Sequence, residues 1–243
     1  MHQNSYSLFD FDNTLYKGQT RYLILDFSSY LEVNNIFNSI DFLQLHHLFN
    51  SYLEAQFDRT HFAIEIVQAY YHGLRGHQIK EIDDLALKYW NNFNNSGWFT
   101  YTDPLLDLIK NHTLPILISG SPLEVLKHSG KLSDFKSIYG SKGIVREGIY
   151  TGQMDFEMAT EAAKTQMVTE LVKSINIDPQ FSFAFGDSIN DFPMLKAVNP
   201  KNAYLLGANN ELIKEISDMN WNHLEQDLRI IDHVQKRINL LYS

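Results

Sequence analysis

Three short apolar runs, each followed by a small or acidic residue, constrain the fold of this chain most strongly. The runs and the residues that follow them are Tyr6–Phe9 with Asp10, Pro115–Ile118 with Ser119, and Phe181–Phe185 with Gly186 and Asp187. Short apolar runs that end in a turn signal are typical of buried strands in a parallel sheet. Amphipathic helical patterns cover residues 104–111, 122–128 and 160–175. The alternation predicts an α/β class with a Rossmann-like parallel sheet, helices on both faces and ligands beyond the carboxyl ends of the strands.

A long insertion separates the first two predicted strands. Apolar and aromatic residues recur there at helical spacing, as in Phe42, Leu45, Leu48, Phe49 and Tyr52. A connection of this length must carry structure of its own. We therefore predict a small helical cap domain at residues 16–101, above a core formed by residues 1–15 and 102–243.

The remainder of the chain completes the predicted core. Glycines around two short apolar pairs predict a β-hairpin within residues 138–153, and residues 203–206 predict another strand. A final amphipathic helix is predicted from the apolar stripe Leu224, Leu228, Ile231, Val234, Ile238 and Leu241. The stripe fits packing within the chain or pairing with a second copy, so both a monomer and a homodimer stay open.

Composition excludes several functional classes. The chain contains no cysteine, which rules out disulfides and thiolate nucleophiles. Its formal net charge of -9 disfavours attraction to nucleic acid or to anionic membranes. Neither a signal-peptide pattern nor an apolar run long enough to span a membrane is visible, and we expect a cytoplasmic protein.

Two aspartates directly follow the first predicted strand. Asp10 and Asp12 are two residues apart. One carboxylate can attack phosphorus to form an acyl phosphate, while the other protonates the leaving oxygen and later activates water. Two such anions would repel a phosphate unless a cation were present, and Mg²⁺ prefers this kind of oxygen ligand.

Other strand ends and one helix add complementary groups. Asp187, with Asn190 and Asp191 close behind, supplies further oxygen ligands after the third predicted strand. Ser119 supplies a hydroxyl, and Lys164 can neutralise the charge that develops on a phosphoryl group.

These residues resemble the four motifs of the haloacid dehalogenase (HAD) superfamily. The first motif is similar to Asp10–Leu15, the second to Ser119–Ser121, the third to Lys164 and the fourth to Gly186–Asp191. The long insertion resembles the helical cap of the subfamily that includes phosphoserine phosphatases. The second aspartate favours phosphatase or phosphotransferase chemistry, because the dehalogenases lack it.

The resemblance implies a role for each motif residue. Asp10 is the expected nucleophile, Asp12 the expected acid and base, and Lys164 the third catalytic residue. The expected Mg²⁺ ligands are Asp10, Asp12 (through its main-chain carbonyl) and Asp187. Asp191 is expected to support either the metal or Lys164 without binding the metal directly. The expected phosphate-binding residues are Thr14, Ser119, Gly120 and Asn190.

The resemblance leaves the substrate open. It implies a small phosphorylated metabolite, such as phosphoserine or a related amino-alcohol phosphate, and makes Glu54, Arg59 and Arg75 candidates for binding it. Two alternatives remain: a phosphotransferase or mutase that uses the same aspartyl-phosphate, and a non-catalytic binding protein on the same fold.

Overall fold

A computed structural model describes residues 4–56 and 58–242 of the 243-residue chain. Its centre is a seven-stranded sheet in the order β4-β3-β2-β1-β5-β6-β7. Neighbouring strands run parallel, except for the antiparallel pair β3 and β4. The strands are β1 (Tyr6–Phe9), β2 (Leu114–Pro122), β3 (Ser137–Arg146), β4 (Ile149–Phe156), β5 (Phe183–Gly186), β6 (Ala203–Leu206) and β7 (Asn222–Leu224). This architecture confirms the predicted α/β class.

Ten α-helices connect the strands within the described residues. They are α1 (Leu23–Val33), α2 (Ser39–Leu53), α3 (Arg59–Gly73), α4 (Ile79–Asn91), α5 (Thr102–Lys110), α6 (Leu123–Leu126), α7 (Glu161–Ile175), α8 (Phe192–Lys196), α9 (Asn210–Glu215) and α10 (Arg229–Tyr242). No helix in residues 4–56 or 58–242 combines the length and the apolar character needed to span a membrane.

The register of the central strand positions the site. β1 lies between β2 and β5, so that Phe9 pairs with Leu117 on one side and with Phe185 on the other. The backbone N–H of Asp10 then donates to the carbonyl of Phe185 at 3.0 Å. Asp10 therefore emerges from the middle of the sheet, beside the loop that follows β5.

Two sequence predictions about element boundaries were wrong. The second strand does not stop at Ile118 but continues to Pro122, with a shift of register against β3, and it leaves α6 only one turn long. The predicted C-terminal stripe also began too early, because Leu224 ends strand β7 and Leu228 is 55% exposed. The helix itself begins at Arg229 and buries Ile230, Val234 and Ile238.

Helices α1 to α4 occupy the predicted insertion at residues 16–101. Their buried side chains join those of the sheet in one continuous hydrophobic cluster, which includes Leu25 and Phe62 from the insertion and Phe9 and Phe185 from the sheet. The division into a core (1–15 and 102–243) and a cap (16–101) remains our proposal, since packing alone does not separate the two parts.

Backbone hydrogen bonds tie the helical insertion to the sheet at two places. The segment that follows β1 pairs with the segment that precedes α5. The N–H groups of Lys17 and Gly18 both donate to the carbonyl of Gly97. The loop after α3 pairs with the β-hairpin, where the N–H of Gly76 donates to the carbonyl of Tyr150 at 2.9 Å. These bonds hold the insertion above the carboxyl edge of the sheet.

Candidate active site

A cavity lies between the carboxyl ends of the central strands and the helical insertion. It encloses about 620 Å³ of empty space, including the part that opens to solvent. Its floor is contributed by the end of β2, by loops and by α7, and is formed by Asp10, Asp12, Asn13, Gly120, Ser121, Ala159, Lys164, Asp187, Ser188 and Asn190. Residues that are far apart in the sequence thus meet at one edge of the sheet.

Lys164 joins two of the aspartates at the bottom of the cavity. Its ammonium Nζ donates to Oδ1 of Asp10 and to Oδ1 of Asp191, both at 2.6 Å. All three side chains are almost fully buried, so the lysine charge acts on the carboxylates with little screening by solvent. Helix α7 positions the lysine, and Thr160 caps its N-terminus by accepting a hydrogen bond from the N–H of Ala163 through its hydroxyl.

Asp191 also organises the loop after β5. Its Oδ2 accepts hydrogen bonds from the N–H groups of Asp187 and Ser188 and from the hydroxyl of Ser188, at 2.9 to 3.0 Å. Gly186 makes this arrangement possible, because a Cβ atom there would lie only 2.4 Å from the Cβ of Asp191. The loop therefore presents Asp187 towards Asp10.

Three carboxylates converge closely enough to share one cation. Oxygen atoms of Asp10, Asp187 and Asp191 all lie within 4.8 Å of one another. Lys164 offsets only part of their charge, and hard carboxylate oxygens suit Mg²⁺. The residues therefore fit a divalent cation, although this set includes Asp191 rather than the carboxylate of Asp12.

The carboxylate of Asp12 is engaged elsewhere. Its Oδ1 accepts from the N–H of Leu23 at 2.7 Å, and its Oδ2 accepts from the hydroxyl of Ser121 at 2.6 Å. Leu23 is the first residue of α1, so a helix N-terminus faces this carboxylate. The role of the Asp12 main-chain carbonyl as a metal ligand stays a prediction.

Burial perturbs the acid–base properties of the site. Burial and the charge of Asp191 raise the pKa of Asp10 to about 7, against the opposing effect of Lys164. Burial raises the pKa of Asp12 to about 6, although its hydrogen bonds from Ser121 and Leu23 act in the other direction. An acid with a pKa near 6 can both donate and accept a proton near neutral pH.

The other charged groups respond to the same crowding of carboxylates. Burial and the charges of Asp191 and Asp10 raise the pKa of Asp187 well above its usual value. Burial alone would raise the pKa of Asp191, but Lys164 lowers it below the usual value. Burial has the opposite effect on a lysine and would lower the pKa of Lys164, but the two carboxylates that Lys164 contacts raise it. A divalent cation would favour the ionised form of every carboxylate in the cluster.

The predicted phosphate-binding residues fall into two groups. Gly120 and Asn190 line the cavity, and the Asn190 amide is fixed by donating to the carbonyl of Ala159 at 2.7 Å. Thr14 and Ser119 are fully buried outside the set that lines the cavity, and the Ser119 hydroxyl accepts from the N–H of Ser121. A phosphate role for these two residues stays a prediction to which the geometry adds no support.

The roof of the cavity comes from the helical insertion. We use "roof" for the side chains of Tyr22, Tyr52, Arg59, Phe62, Ile66 and Val67. The last four share one face of α3, because Phe62, Ile66 and Val67 follow Arg59 by three, seven and eight residues along the helix. Of the three predicted substrate-binding candidates, only Arg59 lines the cavity among the described residues; Glu54 is exposed, and the Arg75 side chain packs beside Gly152.

Sequence reasoning missed several residues of the cavity. Ser121 and Ser188 were not assigned a role, and of the roof residues only Arg59 was named as a candidate for the site. Helical periodicity counted from Arg59 would have found Phe62, Ile66 and Val67 on the same face of α3. Nothing in the sequence indicates that Ser121, rather than Ser119, contacts Asp12.

Fold and site together are typical of an α/β enzyme whose candidate active site lies at the carboxyl ends of parallel strands. The family model for haloacid dehalogenase-like hydrolases matches residues 8–196. The chain belongs to that family, and the resemblance drawn from its motifs is confirmed.

Individual relatives agree with this assignment. The probable phosphatase Rv3661 of Mycobacterium tuberculosis strain H37Rv is 31% identical over 119 residues, which cover 47% of this chain and 40% of that protein. The match to this relative therefore spans two fifths of the relative's length.

Solved structures share the fold. A protein of unknown function from Bordetella pertussis Tohama I has a TM-score of 0.73 at 15% identity, over 92% of this chain and 99% of that one. A phosphoserine phosphatase solved as a phospho-aspartyl intermediate analogue has a TM-score of 0.63 at 19% identity, over 94% of this chain and 97% of that one.

Proposed function

We propose that this hydrolase is a Mg²⁺-dependent phosphatase that cleaves small phosphate monoesters through an aspartyl-phosphate on Asp10. The observation that carries the proposal is the position of Asp10. Its carboxylate lies on the floor of a cavity, 2.6 Å from the ammonium of Lys164 and within 4.8 Å of the carboxylates of Asp187 and Asp191. A nucleophile, a fixed cation and a set of metal ligands thus meet at one point.

The proposed reaction consists of two displacements at phosphorus. A carboxylate oxygen of Asp10 attacks phosphorus as the bond to the leaving oxygen breaks, and Asp12 gives its proton to that oxygen. Asp12 then takes a proton from water, whose oxygen attacks the phosphorus of the aspartyl-phosphate and restores the Asp10 carboxylate. The Ser121 hydroxyl and the N–H of Leu23 fix the orientation of Asp12 for both proton transfers.

Positively charged groups offset the repulsion between a bound phosphate and these carboxylates. Lys164 neutralises part of the charge on Asp10 while its second hydrogen bond to Asp191 holds it in place. Bound Mg²⁺, held by Asp10, Asp187 and Asp191 or the Asp12 carbonyl, would supply the positive charge that offsets repulsion between the phosphate and the carboxylates. Gly120 and Asn190, which line the cavity, are the residues we propose to contact the phosphate oxygens.

The proposed partner is a small phosphorylated metabolite. A probable phosphatase among the relatives and a phosphoserine phosphatase among the similar folds support this class. Phosphoserine and amino-alcohol phosphates are therefore the first substrates to compare.

A phosphate-release assay with and without Mg²⁺ tests the proposal. The panel contains amino-acid, amino-alcohol, alkyl and aryl phosphates, and the expected turnover requires Mg²⁺ and is lost in Asp10→Asn. The exposed Asp218→Asn provides a matched control that should keep full activity. Full activity in Asp10→Asn would refute the nucleophile, and transfer of phosphate to an added alcohol in place of its release would identify a phosphotransferase.

A further inference from the structure

The charges around the cavity are distributed unevenly between floor and roof. The floor carries the aspartates and Lys164, whereas Arg59 is the single charged residue of the roof. Among residues 4–56 and 58–242, no Asp or Glu of the helical insertion lines the cavity. An ammonium group on the leaving part of a substrate would therefore find no carboxylate in the roof to pair with it.

Arg59 lines the same cavity as the carboxylates of the floor. Burial would lower the pKa of Arg59, but the carboxylates of Asp187 and Asp191 raise it, so its positive charge is kept. In this position it adds positive charge close to the carboxylates, where a phosphate would also lie. The same charge would repel an ammonium group placed beside it.

Aromatic rings form much of the remaining roof. The rings of Tyr52 and Phe62 stack with their centroids 4.4 Å apart, and the ring of Tyr22 meets Phe62 edge-on at 6.1 Å. Ile66 and Val67 continue the apolar surface along α3. Aromatic rings can bind a quaternary ammonium group, but here Arg59 adds a positive charge to the same cavity, which disfavours a second cation.

We propose that the leaving group of the natural substrate is an uncharged, apolar or aromatic alcohol, and that esters carrying an ammonium group are poor substrates. The inference rests on the proposed phosphatase function and narrows its substrate class. Burial of an apolar group against the roof favours such an ester, while an unpaired ammonium group loses its hydration without gaining a partner.

Two pairs of esters isolate the effect of the charge. Phosphoethanolamine differs from propyl phosphate by NH₃⁺ in place of CH₃, and phosphocholine differs from 3,3-dimethylbutyl phosphate by N⁺ in place of carbon. We expect kcat/KM to be at least tenfold higher for the uncharged member of each pair. Equal or faster turnover of the charged member would overturn the inference, while leaving the phosphatase function intact.

A roof variant provides a second test. Ile66→Asp places a carboxylate among the roof side chains, and Ile66→Asn is its uncharged control of nearly the same shape. We expect the ratio of kcat/KM for propyl phosphate over phosphoethanolamine to fall at least fivefold in Ile66→Asp relative to Ile66→Asn. An unchanged ratio in two folded variants would contradict a substrate position beneath the roof.

Binding separates failure of this inference from failure of the proposed function. If no ester is hydrolysed, the phosphatase proposal is wrong, but the same pairs can be titrated calorimetrically into the wild-type protein and Asp10→Asn. Tighter binding of the uncharged esters would still support the selectivity of the roof. Tighter binding of the ammonium esters, or no binding of either, would refute it.

Discussion

Glu124 gives the sharpest test of the packing between the helical insertion and the sheet. This carboxyl group lies in α6, directly after β2, and is 6% exposed. Its Oε2 accepts from the hydroxyl of Tyr71 in α3 at 3.2 Å, whereas that hydroxyl makes a shorter bond of 2.7 Å to the carbonyl of Ser141. Oε1 is buried as well. A neutral carboxyl group is therefore favoured in the folded protein.

The pKa shift of Glu124 determines how much the free energy of unfolding changes with pH. Burial raises the pKa of Glu124 from 4.5 to about 7, although the hydrogen bond from Tyr71 acts in the other direction. Between these values the folded protein keeps a proton that the unfolded chain releases, so the free energy of unfolding falls as the pH rises. At about 1.4 kcal/mol per pH unit, the total loss is about 3 kcal/mol by pH 8.

Replacing Glu124 by Gln removes this titration while keeping the shape and a hydrogen-bond donor. We expect the free energy of unfolding of Glu124→Gln, relative to wild type, to rise by about 3 kcal/mol between pH 4 and pH 8. Urea denaturation at a series of pH values, with EDTA throughout, measures the difference. Aspartates of the active site titrate in both proteins, so their contributions cancel.

Glu147→Gln, in the exposed turn between β3 and β4, is the matched control. Its stability relative to wild type should stay constant to within about 0.5 kcal/mol over the same range. A difference between Glu124→Gln and wild type that does not change with pH would refute the reasoning, since it would show that Glu124 is not held neutral by burial.

Three further substitutions test the site itself. Ser121→Ala removes the short hydrogen bond to Asp12. Since a hydrogen bond to a charged group contributes about 1.5 kcal/mol or more, kcat should fall about tenfold with little change in KM. Steady-state kinetics on one good substrate measures both constants. Lys164→Met leaves Asp10 buried without its counter-ion, so the free energy of unfolding without Mg²⁺ should fall by about 3 to 5 kcal/mol, and denaturation with added Mg²⁺ should recover part of the loss. Gly120→Ala puts a Cβ atom 2.8 Å from a neighbouring backbone atom, which should cost about 1 to 3 kcal/mol of stability and weaken competitive inhibition by phosphate.

Much of the fold could be predicted because its strands carry their own signal. Buried parallel strands are continuous apolar runs, and the predicted runs lie in β1, β2 and β5 at the centre of the sheet. Since these strands are neighbours and parallel, the residues that follow them meet at one edge. This geometry is why Asp10 and Asp187 could be placed together from sequence alone.

Other features depend on tertiary contacts that leave no local pattern. No periodicity in the sequence marks the register shift between β2 and β3, and none indicates that Ser121 contacts Asp12. Asp191 was expected to support either the metal or Lys164. It contacts Lys164 at 2.6 Å, and one of its oxygen atoms also lies within 4.8 Å of oxygen atoms of Asp10 and Asp187, which no local pattern indicates. The start of α10 was predicted too early because an apolar residue in an edge strand, Leu224, fits a helical stripe by spacing alone.

The most direct test of the account is to find the phosphoryl group on the enzyme. Asp12→Ala lacks the proposed base for the second displacement, so a phosphorylated enzyme should accumulate when it is mixed with a reactive aryl phosphate and Mg²⁺ and quenched in acid. Peptide mass spectrometry should then locate one phosphoryl group on Asp10 and none in Asp10→Asn. Phosphate release from wild type without any adduct at Asp10 under these conditions, or an adduct on another residue, would contradict the proposed mechanism.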